Sequence, residues 1–218
     1  MKINEVICED TDKRAMLVEY AGIQSFAEEY CKPYLNEIGG FKNAIFVHPL
    51  YRGIAGLNFK KNEYSTVIKV DQNRTPTDTP PAMQNEIDNW FEDKAGVRFR
   101  QTSLHCTGNI DTADSYSVDK GPLIVLPMGN FNYCWSTIYR DMFSSLANES
   151  ITAGVVQGGT KQRLMLWTKD DIIKFMENGN YQANTGLVPA INSKKEIMIS
   201  CKKALVVQQK FISNLVSK

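Results

Sequence analysis

Three short stretches hold the residues best suited to chemistry. LYRG, residues 50–53, sets Arg52 beside Gly53 at the end of an apolar run. A guanidinium is a permanently charged fork that matches phosphate and carboxylate oxygens. The adjacent glycine, lacking Cβ, lets backbone approach a ligand closely. FRQTSLHCTG, residues 99–108, carries Thr102 and Ser103, hydroxyls able to orient a substrate or another side chain. KKEIMI, residues 194–199, places one carboxylate, Glu196, at the head of an apolar strand pattern. A fixed carboxylate stabilises the positive charge that develops on a sugar as its glycosidic bond breaks. Each residue alone also has a plain reading: a surface ion-pair arginine, a strand hydroxyl, a strand-edge charge. Nucleotide, metalloprotease and hydrolase signatures (GxGxxG, GxxxxGK[ST], HExxH, GxSxG) are absent.

The elements that must position these residues are legible in outline. From 11 to 38, Met16, Leu17, Tyr20, Ile23, Phe26, Ala27, Tyr30 and Leu35 recur at helical spacing until Gly39-Gly40 stops the pattern. AIFVHPLYRGIAG reads as a β-rich run interrupted by Pro49, and DQNRTPTDTPP (71–81) as a loop carrying Arg74. A helix is expected over 82–94, with Ile87, Trp90 and Phe91 toward the core. VRFRQTSLHCTG alternates like a half-buried strand, with Val97, Phe99 and Gln101 on one side. GPLIVLPMG has the form of a buried strand. GVVQGGTK, whose glycines match no phosphate loop, reads as a flexible loop. WTKDDIIKFMENGN has Thr168 as N-cap, acids in its first turn and Gly179 near its end, which predicts a helix. KEIMISCKKALVVQQK predicts one strand or a hairpin. Helices and strands mix without a βαβ rhythm, so the expected class is α+β.

Composition narrows the partners. The chain has 218 residues, 43% apolar, with a net charge of +1. That length suits one domain spanning 1–218, with 1–40 as a helical N-terminal segment. No global field draws it to nucleic acid or an acidic membrane. The start lacks an apolar leader, and no apolar run is long enough to span a bilayer, so no membrane partner is expected. Five scattered cysteines and two histidines argue against a disulfide framework or a metal centre and make a reducing cytoplasm the default location. His105 reads as a satisfied structural histidine, and Cys106 as buried. From Lys194 onward, lysines outnumber acids, either as a solvated face or as a surface for an anionic target.

In order, YRG, the TSL of 102–104 and the late glutamate resemble the Arg–Ser–Glu constellation of ADP-ribosyltransferases related to bacterial mono-ADP-ribosylating toxins. ADSYSVDKGPLIVLPMGNF resembles that family's helix followed by a strand of the form v-x-P-x-G, so the likeness covers about 44–207. The stretch RTPTDTPPAMQNEIDNWFEDKAGVRFR is also similar to such domains in phage-encoded proteins. The resemblance implies a split β-sheet core of two small packed sheets, with an insertion within about 139–181 before the last strands. It implies NAD as co-substrate, with Arg52 as clamp on the pyrophosphate, Ser103 orienting Glu196 or the nicotinamide ribose, and Glu196 stabilising the ribosyl cation. Gly53, Thr102, Tyr116 and Arg74 complete the expected cofactor site, Tyr116 stacking on nicotinamide and Arg74 lying in a loop over the cofactor. Only Ser103 maps well onto the serine motif. Lys194 stands where arginine-modifying members carry Glu or Gln, which points away from an arginine acceptor.

The expected function is a mono-ADP-ribosyltransferase acting on a protein or nucleic-acid acceptor in a bacterial cytoplasm. It would serve as a toxin, effector or phage-encoded modifier, with an antitoxin or inhibitor as a further possible partner. Water as acceptor would make the same site a hydrolase. The rivals are a non-catalytic binding or virion-associated module with the same fold, and a nucleic-acid-binding domain using the C-terminal lysines.

Overall fold

A computed structural model of the chain describes residues 3–54, 56–57, 59–60, 63–75, 79–117, 121–152 and 164–216. The N-terminal pattern forms α1 (Ile3–Tyr30) and α2 (Lys32–Ile38), which break apart at Cys31, where Pro33 enters the first turn of α2. Gly39 closes α2 in the left-handed conformation, φ 84°. Ile23, Ala27, Cys31, Tyr34, Leu35 and Ile38, spaced by three and four, form the buried stripe of this pair.

Helices α3 (Pro81–Ala95) and α4 (Phe99–Thr102, a single turn) come next, followed by α5 (Ile110–Asp114). Helices α6 (Met142–Thr152) and α7 (Lys169–Asn178) lie within the expected insertion. Thr168 caps α7 in a full capping box with Asp171. Helices α8 (Leu187–Asn192) and α9 (Gln209–Val216) complete the set described. The GVVQGGTK segment and residues 76–78 of the Pro/Thr loop lie outside the described residues.

Eight strands make one sheet: β1 (Tyr51–Arg52), β2 (Ser65–Lys69), β3 (Ser103–Thr107), β4 (Leu123–Met128), β5 (Asn132–Ser136), β6 (Tyr181–Ala183), β7 (Glu196–Ser200) and β8 (Lys203–Gln208). Their order is β2-β8-β4-β1-β3-β7-β5-β6, and every pairing is antiparallel. The α+β class therefore holds. The pair of separate sheets does not appear, because β1 joins the two halves, pairing with β4 at two positions and with β3 at one. The join is only two residues wide.

Three local expectations are corrected. The run at 44–56 is a π-helical turn (Asn43–Val47) followed by two strand residues, rather than a β-rich stretch. Its Phe46 and nearby Phe41 pack against Tyr20 of α1. The segment 97–102 is turn and helix rather than strand, so Thr102 ends α4 and only Ser103 begins β3. Strands β7 and β8 do not form a hairpin, since β7 pairs with β3 and β5 while β8 pairs with β4 and β2.

Two apolar clusters cover the sheet. The larger joins α1, α2, α8 and α9 to β4, β8 and the Ile197 and Ile199 face of β7. The smaller gathers Ile87 and Phe91 of α3, Met142 and Leu146 of α6, and Phe175 of α7 around Met198, on the opposite face of β7. Trp90 packs at its margin. By strand alternation Glu196 shares the face of Met198. The insertion helices therefore stand over the face that carries the carboxylate.

Candidate functional site

The register of β3 against β7 builds the site. Thr107 pairs with Glu196, His105 with Met198 and Ser103 with Ser200, so these side chains share one face. Glu196 opens β7 directly after the turn that ends α8. In that turn Lys194 takes φ 59°, and its N–H donates to Ile191 O at 3.1 Å. The stretch preceding α6 is fastened to the same place. Glu196 N–H donates to Arg140 O at 2.8 Å, and Met142 N–H donates to Glu196 Oε2 at 3.0 Å. Lys195 Nζ donates to the carbonyls of Thr137 and Ile138.

The other carboxylate oxygen of Glu196, Oε1, is hydrogen-bonded to His105 Nδ1. Burial works against the carboxylate's charge, but His105, Arg100 and the Met142 N–H outweigh it and hold the pKa down at about 2. Burial pushes the pKa of His105 below the ordinary imidazole value; Glu196 opposes this, and Arg100 and Arg74 add to it. Glu196 is thus an ionised carboxylate that accepts the hydrogen bond of His105 Nδ1. His105 Nε2 is buried and has no hydrogen-bond partner among the described residues. His105 is therefore not the fully satisfied structural histidine expected from sequence. It positions the carboxylate.

A cavity of about 300 Å³ adjoins Glu196, at the small end of ligand pockets. Arg52, Gly53, Arg74, Tyr116 and Glu196, all anticipated from sequence, line it. Thr102 and Ser103 do not. Thr102 Oγ1 is bonded to Arg98 O at 3.1 Å and to Ser200 Oγ at 2.8 Å, which closes α4. Ser103 is buried with its hydroxyl unpartnered among the described residues, and the role of holding Glu196 falls to His105. Strand alternation held the clue, because any strand that turns Ser103 toward Glu196 turns His105 the same way.

The surroundings of Gly53 and Tyr116 define what each can do. Gly53 lines the cavity, but what demands a glycine there is the chain's own backbone: a Cβ would run into Ala113 O, Tyr116 C and Ser117 N. Tyr116 sits in the turn after α5, 68% exposed, so no core packing claims it. Cys106 is buried as expected, and burial pushes its thiol up to about 12, far from a reactive thiolate.

The lining is electropositive. Among the described lining residues, Arg52, Arg74, Arg100, Arg140 and Lys194 outnumber Asp141 and Glu196. Arg52 Nη1 donates to His105 O at 2.6 Å, while its buried Nε has no partner among the described residues. Arg100 and Arg140 were not singled out in the sequence. Arg140 and Asp141 come from the insertion, beside Phe143 and Ser144 of α6. Among the described residues no group of three or more His, Cys, Asp and Glu side chains could hold a metal, and no helix is long and apolar enough to cross a membrane.

Lys194 combines a strained backbone with a charge at the cavity wall. A non-glycine residue in the left-handed region costs about 1–2 kcal/mol. Lys194→Gly is therefore expected to raise stability by about 1 kcal/mol while removing a cation from the lining. Urea unfolding of both proteins measures this, and an unchanged midpoint would show that the turn carries no strain. No family model, curated protein or solved structure matches the chain.

Proposed function

We propose that the chain is an NAD-dependent ADP-ribosyltransferase, passing ADP-ribose to a macromolecular acceptor, protein or nucleic acid. The observation that carries this reading is the convergence of Arg52 and Glu196, far apart in sequence, on one cation-rich cavity with Tyr116 and Arg74. The unpartnered Nε of Arg52 and the excess of cations fit the pyrophosphate of NAD.

On this reading Arg52 grips the pyrophosphate, and Tyr116 offers an exposed ring for the nicotinamide to stack on. Glu196, ionised and fixed from both sides by His105 and Met142 N–H, faces the positive charge that develops on the ribose. The nicotinamide–ribose bond breaks with its electron pair leaving on nicotinamide, the acceptor atom bonds to the freed carbon, and the acceptor's proton is lost to solvent. Preorganisation matters here: a carboxylate already held in place spends no reorganisation energy as the bond stretches. Arg140, Asp141, Phe143 and Ser144 bring the insertion to the cavity, so acceptor recognition belongs there. The positive charge of Lys194 beside Glu196 disfavours a guanidinium acceptor.

The test is to incubate the protein with NAD labelled on adenine, with and without cell lysate, and to measure nicotinamide release. Labelled macromolecule is then digested separately with protease and nuclease. Nicotinamide release with label sensitive to one digestion, and no ADP-ribosyl-arginine as main product, is expected. Absence of release under both conditions overturns the proposal.

A further inference from the structure

The cavity also holds a buried guanidinium that no carboxylate contacts among the described residues. Arg100 lies in α4 and is 8% exposed, yet it lines the cavity. Among the described residues no carboxylate forms an ion pair with it. Its guanidinium makes one long hydrogen bond, Nη2 to Thr79 Oγ1 at 3.4 Å, and its buried Nε makes none.

Asp88, a buried acid that also feels the charge of Arg100, holds backbone instead. Its Oδ1 accepts the backbone N–H groups of Arg100 at 2.7 Å and Gln101 at 3.4 Å, so it caps α4. Glu196 feels the charge of Arg100, but its oxygens are taken by His105 and Met142 N–H. A guanidinium cannot escape by losing its proton. A buried charge with hydrogen bonds unmade is costly, and an acceptor brought by a ligand would offset that cost.

We propose that Arg100 forms an anion subsite of this cavity, taking a phosphoryl group. The donor set selects that chemistry. Arg100 and Arg52 each carry a buried Nε–H with no acceptor among the described residues, and a phosphoryl group offers several charged oxygens at once. A halide has no second acceptor atom with which to bridge two guanidinium groups. The subsite stands on the charge of the cavity and not on the transfer reaction. The phosphoryl group can come from a dinucleotide or from free phosphate, and the experiment separates the two.

The full chain is melted at constant ionic strength with chloride alone, inorganic pyrophosphate, ADP or NAD, alongside Arg100→Met and Arg100→Lys. Wild type should show a saturable rise in melting temperature with pyrophosphate. Arg100→Met, without ligand, should melt at or above wild type, since it removes an unpaired charge while keeping apolar bulk. Its pyrophosphate affinity should fall at least tenfold, with Arg100→Lys between the two. A larger response to NAD or ADP than to pyrophosphate identifies a nucleotide as the source; the largest response to pyrophosphate identifies free phosphate.

Undiminished pyrophosphate binding by Arg100→Met overturns the subsite, as does the absence of a saturable response in wild type. A ligand-free Arg100→Met that melts well below wild type also overturns it, because the guanidinium would then be satisfied within the fold. Anion binding through Arg100 without nicotinamide release leaves the subsite standing and counts against the transferase. Release without Arg100 dependence does the reverse.

Discussion

Replacing Glu196 by Gln is expected to slow nicotinamide release about 10²-fold or more at saturating NAD, while the protein stays folded. The loss corresponds to about 3 kcal/mol of transition-state stabilisation, the scale of one preorganised electrostatic partner. NAD affinity should change little, because the charge matters mainly once the glycosidic bond stretches. The fold should tolerate the change because both present partners can be kept. A Gln oxygen accepts Met142 N–H as Glu196 Oε2 does now, and a Gln amide can donate to Nδ1 of the other His105 tautomer.

The same variant has a signature independent of catalysis. The depressed pKa of Glu196 contributes stability that is present above the ordinary Glu value of about 4.3 and is lost as pH falls toward about 2. Glu196→Gln should therefore flatten the acid side of the stability curve in that window. If the variant releases nicotinamide at close to the wild-type rate while showing this flattening, Glu196 is a structural carboxylate bound to His105, and the catalytic assignment fails.

The sequence carried the local elements where local rules govern. Thr168 and Asp171 wrote the capping box of α7, Gly39 the end of α2, and the apolar run at 123–128 the buried strand β4. It misled where a distant partner decides. The segment 97–102 alternates like a strand, yet it winds into a helical turn because Asp88, on another helix, caps Arg100 and Gln101. Strands β7 and β8 read as a hairpin, with only Cys201 and Lys202 between them, but each finds its partners in a different half of the sheet.

The candidate site divides in the same way. Arg52 and Glu196 are legible because their chemistry is distinctive against apolar neighbours. His105 and Arg100 acquire meaning only through register and burial. One pairing, Thr107 opposite Glu196, sets His105 against the carboxylate and leaves Ser103 at the far end of the strand, beside Ser200. Shifting that register by one residue would turn Glu196 into the apolar cluster, which the Ile197 and Ile199 face of β7 forbids.

Replacing Gly53 by Ala is expected to destabilise the fold by about 3 kcal/mol, lowering the melting temperature by roughly 6–12 °C for a chain of this size. The reason is space. A Cβ at position 53 would stand 2.6 Å from Tyr116 C and 2.8 Å from Ser117 N, and also against Ala113 O, all of them backbone atoms that no rotamer change can clear. The turn after α5 would have to move outward, carrying Tyr116 away from the cavity, or β1 would have to shift with Arg52. Because β1 is only two residues long and joins the halves of the sheet, it has little pairing with which to resist. Melting and NAD titration on the same variant separate the two roles a glycine could have here. Lost stability is the expected result, with NAD affinity falling because Tyr116 and Arg52 are displaced. An unchanged melting temperature with lost affinity would instead mean that Gly53 makes room for the ligand, as its place beside Arg52 suggests from sequence alone, and that the turn after α5 yields without cost.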